Sequence, residues 1–213
     1  MILRDKPDRT AALALRGSFE DARAQMRHVL TISRQLCDQT MEGYAQLNTG
    51  WIFACGQAYD DAVSHASQAL DLFRAAGDQA GQARALNAIG WHQIHLGNYG
   101  VAVTYCEQAL TVNLAIEDRL AEGDTWDSLG CAYYRLGNHQ QALNSFGRAL
   151  DAYRNLGVRK RESVALIHLG DTYQSANRPS HSAEAWQLAL TILEELRDPA
   201  ASEVREKLLD ENL

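Results

Sequence analysis

Seven histidines, four cysteines and 27 acidic residues give this chain raw material for metal or acid–base chemistry. Few of them share the spacing such chemistry needs. His92 and His95 stand three apart on one predicted helix, a step that can suit paired metal ligands. The helical period turns them partly to different faces, however, and no third ligand is evident. No metal and no cofactor is therefore expected. Cys131 and His95 fall on neighbouring predicted helices and suggest a thiol–imidazole pair, but no orienting group or oxyanion donor accompanies them. No Ser-His-Asp arrangement and no phosphate loop stands out, so the chain is expected not to be an enzyme. The remaining candidates are recognition groups. Trp51 and Trp91 could anchor an apolar side chain of a partner, or could pack between structural elements. Asp124, Asp127 and Asp171 could meet a basic ligand, or form a solvated face, or be paired internally, Asp171 with Arg135 one repeat back. Asn87 could hydrogen-bond a peptide backbone, or be an ordinary surface residue.

The elements that position these residues repeat. Gly50, Gly90, Gly130 and Gly170 sit forty residues apart. So do Ala69-Leu70, Ala109-Leu110, Ala149-Leu150 and Ala189-Leu190, and the column Ala62, Ala102, Ala142, Ser182 keeps the same step. Self-similarity at this period indicates a solenoid. One set of turn signals is Gly17-Ser18, Gln57-Ala58, Gly97-Asn98, Gly137-Asn138 and Asn177-Arg178. The other is Cys37-Asp38, Gly77-Asp78, Glu117-Asp118, Gly157-Val158 and Asp198-Pro199. Gly ends a helix and Ser, Asn or Asp starts the next, so Asn98, Asn138, Asp38, Asp78, Asp118 and Asp198 are expected N-caps. Pro179 suits a first turn.

This division predicts first helices over about 41–56, 80–96, 120–136 and 160–176. Second helices follow over about 19–36, 59–76, 99–116, 139–156 and 179–196. The expected fold class is all-α, a single solenoid of helical hairpins over residues 1–213. Its parts are a partial first repeat (1–40, with Thr10 to Arg16 as half of a first helix), full repeats at 41–80, 81–120, 121–160 and 161–199, and a capping helix at 200–213. In that last helix Val204 and Leu208 share an apolar face, with Leu209 a further candidate. A mid-helix Gly costs roughly 1 kcal/mol relative to Ala, so the glycine column implies close helix approach. Ala62, Ala66 and Ala69 supply one small-residue face, while Phe53, Tyr133, Tyr173, Phe146 and Trp186 are expected to fill gaps between repeats.

The net charge is −7 with a sequence pI near 5.5, and only Lys6, Lys160 and Lys207 are lysines. Arg159-Lys160-Arg161 is the one basic cluster, read as a solvated connector. Nucleic-acid binding wants a stripe of such clusters, so no direct nucleic-acid contact is expected. Cys37, Cys55, Cys106 and Cys131 form no Cys-x-x-Cys pair and read as reduced thiols of a cytoplasmic protein. No signal peptide is evident, and no apolar run approaches the ~20 residues of a membrane span.

Around each glycine, an apolar residue at −4, aromatics at +3 and +16 and Ala at +12 and +19 form a pattern that resembles the tetratricopeptide repeat. Trp126, Gly130, Tyr133, Ala142, Phe146 and Ala149 match it fully. Gln46, Ala66, Gln93, Cys106 and Ser182 depart from it, and the forty-residue step exceeds the usual ~34. Segments such as Leu86–Trp91, Tyr105–Leu110, Leu169–Tyr173 and Ala185–Leu190 resemble the C-terminal sensor domain of actinobacterial SARP/AfsR-like antibiotic-regulatory transcription factors. In that family a winged helix-turn-helix and activation domain, then an NTPase domain, precede the repeats. Neither a DNA-binding segment nor a Gly-x-x-x-x-Gly-Lys-Ser/Thr loop occurs in this chain. It is therefore expected to be an excised sensor domain or a free-standing relative, and the clipped first repeat favours excision.

The resemblance implies a right-handed superhelix whose first helices line a concave face. Offsets of −6, −3, +1, +4 and +5 from each glycine share one stripe. The stripe holds Tyr44, Leu47, Trp51, Ala54 and Cys55; Arg84, Asn87, Trp91, Ile94 and His95; Asp124, Asp127, Cys131, Tyr134 and Arg135; and Val164, Ile167, Asp171, Gln174 and Ser175. The groove is expected to be apolar and aromatic first, then acidic and polar. Its lack of Lys argues against an adaptor that holds a C-terminal carboxylate. The implied partner is a protein, a peptide, a small effector or another domain of the same regulator. The alternative is a free-standing scaffold joining two proteins.

Overall fold

The structure, a computed structural model, describes residues 19–210. The expected half-helix from Thr10 to Arg16 and the Gly17-Ser18 turn lie outside the described residues. Among the described residues all regular structure is helical: α1 Phe19–Gln35, α2 Gln39–Cys55, α3 Tyr59–Ala76, α4 Gln79–His95, α5 Tyr99–Ala115, α6 Arg119–Arg135, α7 His139–Asn155, α8 Arg159–Ser175, α9 Pro179–Glu195 and α10 Ala201–Asp210. For α1 to α9 the expected bounds are met to within two residues; α10 starts one residue after the expected 200, and residues 211–213 of the expected capping helix lie outside the described residues.

Among the described residues one turn recurs nine times. Positive φ falls on Cys37, Gln57, Gly77, Gly97, Glu117, Gly137, Gly157, Asn177 and Arg197, one every twenty residues. At each, the next residue's N–H donates back to a carbonyl five residues earlier, as Asp38 to Ser33, Asp78 to Phe73 and Asn138 to Tyr133. This is the Schellman closure, in which a left-handed residue ties up the last carbonyls of a helix. Only four of the nine positions carry Gly. The other five hold the same shape against the steric preference of an L side chain.

The next helix then starts with less help than the sequence suggests. Asp38 and Asp78 do accept from Met41 N and Gly81 N, at 2.8 and 2.9 Å, and Asp198 accepts from Ala200 N at 2.9 Å. Asn98 and Asn138 occupy the N-cap position without a side-chain cap bond. Asn98 instead donates to Gln93 Oε1 at 2.8 Å, and that bond takes its amide away from the helix start.

The described residues form two compact units, one up to Asp118 and one from Arg119 onward. In the first, α1 to α5 pack each on its chain neighbour, and α2 also meets α4. Its core is Leu47, Ala66, Ala69, Leu70, Phe73, Ala85, Leu86, Ile89 and Ala109. Phe73 is fully buried between two glycines: a Cβ would lie 2.7 Å from its ring at Gly43 and 2.3 Å at Gly81. In the second unit, α6 to α10 pack in the same succession. There α10 closes the end with Ala201 and Val204 on Trp186, Leu190 and Leu193, and Leu208 at the margin. Leu209 points away, 66% exposed, because the apolar stripe of this short helix ends at Leu208.

The glycine column has the expected role with a different partner. Phe146 and Trp186 do reach the next element, Phe146 at the His168 ring 4.9 Å away and Trp186 at Ala201 and Val204 of α10. Each also lies against the glycine of its own hairpin, where a Cβ would come within 2.4 Å of Phe146 at Gly130 and 2.3 Å of Trp186 at Gly170. The ring occupies the space that a side chain on the facing helix would need. In the first unit the same offset carries Ala66 and Cys106. A Cβ on Gly90 would meet Cys106 Sγ at 2.5 Å, and one on Gly50 would meet the Ala62 carbonyl at 3.1 Å.

Candidate functional site

The first-unit stripe is built on α2 and α4. Leu47 and Ile94 are buried and belong to the core. Tyr44 is half-buried, edge-on to Phe73 at 4.8 Å with the Arg84 guanidinium 5.9 Å from its ring. Burial pushes its hydroxyl pKa up. Arg84 is exposed and pairs with Asp118 at 4.0 Å. Asn87 is half-buried and accepts the Cys106 thiol at 3.8 Å.

Trp51 and Trp91 are both partly exposed. Each borders a histidine: Trp51 meets His92 edge-on at 5.7 Å, and Trp91 meets His95 edge-on at 5.1 Å. His95 in turn stacks on Tyr59 at 4.5 Å, nearly parallel. His92 and His95 thus occupy different surroundings. His92 is 1% exposed and its Nδ1 lacks a hydrogen-bond partner. Burial first, and then the charge of His95, hold its pKa down at about 4. The polar departure Gln46 is also explained: it is buried and bonds His65 Nδ1 at 2.7 Å and Gln68 Oε1 at 3.1 Å. Two polar neighbours satisfy an amide where the repeat usually places an apolar group.

In the second unit the stripe of α6 and α8 is polar as expected, but its charges are already matched. Asp124 takes Arg161 and the Tyr153 hydroxyl, the latter at 3.0 Å. Burial, then the charges of Asp127 and Asp124, raise the Tyr153 pKa. Asp127 meets His168 Nδ1 at 2.8 Å. Burial alone would lower the His168 pKa; the charge and hydrogen bond of Asp127 outweigh it and raise the pKa overall. Asp171 accepts Lys207 Nζ from α10 at 2.7 Å and Trp186 Nε1 at 3.0 Å. Tyr134 bonds the Ser175 hydroxyl at 3.0 Å, and Arg135 is exposed.

The Arg159-Lys160-Arg161 cluster keeps Arg159 and Lys160 partly exposed, as a solvated connector would be, and also pairs all three with carboxylates. Arg159 holds Glu162 and Glu195 at 2.9 and 2.7 Å, Lys160 holds Asp198, and Arg161 holds Asp124. His168 and Lys207 were not picked out from the sequence. His168 lies at −2 from Gly170 and Asp127 at −3 from Gly130, so the two do not share an offset and repeat register alone does not pair them. No described helix is long and apolar enough to cross a membrane.

Residues 52–113 and 81–155 match the sequence profile of the tetratricopeptide repeat family. No curated protein matches the chain. Among solved structures, the chain is similar to BtubC (BKLC) from P. vanneervenii. The TM-score is 0.75 at 19% identity, over 88% of this chain and 78% of that one. It is similar to a Rap protein complexed with Competence and Sporulation Factor, with a TM-score of 0.70 at 16% identity, over 97% of this chain and 60% of that one. It is also similar to a signal transduction ATPase with numerous domains and a tetratricopeptide repeat sensor, from Pyrococcus horikoshii. There the TM-score is 0.69 at 15% identity, over 94% of this chain and 35% of that one. At such identities the likeness is one of fold.

Proposed function

We propose that this chain, which carries tetratricopeptide repeats, is a non-enzymatic recognition module. It binds a peptide, a protein or a small effector on its first-helix stripe, and serves as the regulatory C-terminal domain of a SARP/AfsR-like transcriptional regulator. Ligand binding would bias the active and inactive states of that regulator. One observation carries the reading. Trp51 and Trp91 occupy equivalent repeat positions and stay partly exposed, while the core around them is closed. Paired, rigidly backed aromatics are the kind of anchor that dominates binding energy. In the second unit Asp124, Asp127 and Asp171 each already have a protein partner. An apolar group therefore fits the tryptophan end better than a cation fits the acidic end. Two comparisons lend support: the Rap structure is a complex with Competence and Sporulation Factor, and the P. horikoshii protein joins a repeat sensor to an ATPase.

The test is a tryptophan-fluorescence and calorimetric screen of the full chain against peptides and extract fractions, repeated with Trp51→Ala and Trp91→Ala. A ligand anchored here should lose roughly 30-fold in affinity in at least one variant, the equivalent of about 2 kcal/mol for an anchor residue. Undiminished binding in both variants, with melting temperature retained, would refute the assignment.

A further inference from the structure

We propose that Asp127, Cys131 and His168 form a binding site for a divalent transition-metal ion of the Zn²⁺ class. The proposal does not depend on the recognition reading above. Asp127 and Cys131 are four residues apart on α6, one above the other on the same face. His168 reaches them from α8, the next first helix of the same unit. One ligand atom from each of the three lies within 4.8 Å of the other two. Cys131 and His168 are both buried, each 4% exposed, and the Asp127 side chain is 17% exposed, so the site has one side open to solvent.

Tetrahedral zinc, with bonds of about 2.0–2.3 Å to O, N and S, needs its donors about 3.3–3.7 Å apart. The present 2.8 Å between His168 Nδ1 and Asp127 Oδ1 is a hydrogen bond, slightly shorter than that edge. Entry of the ion displaces that bonding proton to water, leaves a neutral imidazole protonated at Nε2, and opens the gap by about half an ångström, within reach of small side-chain rotations. The Cys131 thiol gives its proton to water and binds as thiolate.

The donor chemistry selects the metal. One sulfur, one imidazole nitrogen and one carboxylate oxygen suit Zn²⁺ or Co²⁺ and not Mg²⁺ or Ca²⁺, which want all-oxygen shells. The charge also closes: a carboxylate, a thiolate and a neutral imidazole around a divalent cation sum to zero, which suits a half-buried place. The neighbouring carboxylates do not upset this sum, since Asp124 is matched by Arg161 and Asp171 by Lys207. Three protein ligands leave a fourth position on the open side, for water or for a donor from a bound partner.

The experiment is a titration of the metal-free full chain with Co²⁺, read by the thiolate-to-cobalt charge-transfer band and by four-coordinate d–d bands. One equivalent per chain, displaced by Zn²⁺, is expected. The charge-transfer band should vanish in Cys131→Ser and survive in Cys37→Ser and Cys55→Ser. Asp127→Asn should weaken binding by about 10- to 100-fold. Zn²⁺ should raise the melting temperature of the wild type and leave that of Cys131→Ser unmoved. Absence of the band in the wild type, or its persistence in Cys131→Ser, would overturn the site.

Discussion

The glycine column can be tested by adding one methyl group at a time. At Gly130 a Cβ would sit 2.4, 2.5 and 2.8 Å from three atoms of the Phe146 ring, against an ordinary carbon contact of about 3.5–4.0 Å. The ring would have to retreat by about 1 Å. It is 1% exposed, with the His168 ring behind it at 4.9 Å, so it has nowhere to go. Alanine gains roughly 1 kcal/mol over glycine in a helix interior, while overpacking a filled contact costs about 1–3 kcal/mol. The two effects separate cleanly because Gly147, on α7, has nothing within 4 Å of its added Cβ. Gly147→Ala therefore reports the helix gain alone, and Gly130→Ala should lie about 1–3 kcal/mol below it. For a chain of this length that corresponds to roughly 2–12 °C in Tm. Gly170→Ala should be at least as costly, since Trp186 would be met at 2.3 Å and its indole N–H is tied to Asp171. Gly50→Ala, nearest the Ala62 carbonyl at 3.1 Å, should fall between Gly147→Ala and Gly130→Ala. Urea unfolding of the four variants, followed by circular dichroism, gives the order. If Gly130→Ala matched Gly147→Ala in stability, the close-approach account of the column would be wrong.

Two further outcomes follow from the turns and from His92. Gln57 holds φ 61° with a side chain and Gly77 holds φ 69° without one, and a Cβ on Gly77 would meet nothing within 4 Å. Gln57→Gly should thus stabilise and Gly77→Ala destabilise, each by up to about 1 kcal/mol; shifts of the same sign in the urea midpoint would contradict this. His92 is held at about 4 in the folded state against an ordinary 6.5. Above pH 6.5 both states are neutral and His92 contributes no pH dependence. Between 6.5 and 4 the unfolded chain takes the proton and the folded one does not, so stability falls with pH. The loss reaches roughly 3 kcal/mol, about 1.4 kcal/mol per unit, and levels off below 4. His92→Phe keeps a ring against Trp51 and should flatten this part of the stability–pH curve. A wild-type minus variant difference that stayed constant from pH 8 to pH 4 would refute the buried, neutral assignment.

Helix positions were legible because they rest on local chemistry: the forty-residue columns and the Gly-Asp and Gly-Asn turns place all nine long helices to within two residues. The turns at Cys37, Gln57 and Glu117 were found only by register, since nothing in those residue types asks for a left-handed backbone; Asn177 is a type that tolerates it, and the last turn, expected at Asp198-Pro199, has its left-handed residue one position earlier, at Arg197. What stayed hidden depends on how two helices are rotated against each other. Phe146 could be seen as large and Gly130 as small, yet which helix the ring would lean on is a tertiary fact. The wedge of Phe73 between Gly43 and Gly81 was missed for the same reason, as those glycines fall outside the most regular column. The pairing of Asp127 with His168 crosses two helices of adjacent repeats, and Lys207 reaches Asp171 from α10, beyond the repeats altogether. Charge on the stripe was readable, and so was the chance of internal pairing; the partners, such as Lys207 for Asp171, were not.

The nine equivalent turns also dictate how the chain can change length. Every junction has the same backbone, so a stretch of forty residues cut at one left-handed position can be joined to the corresponding position one period on with no new geometry. A block of twenty would set a first helix where a second belongs. A single inserted residue inside a helix rotates everything beyond it by about 100° and scatters the columns. Growth and loss in such a chain are quantised: whole hairpins can be copied or dropped, and the sequence between the turns is then left to drift, one period at a time, toward a new surface.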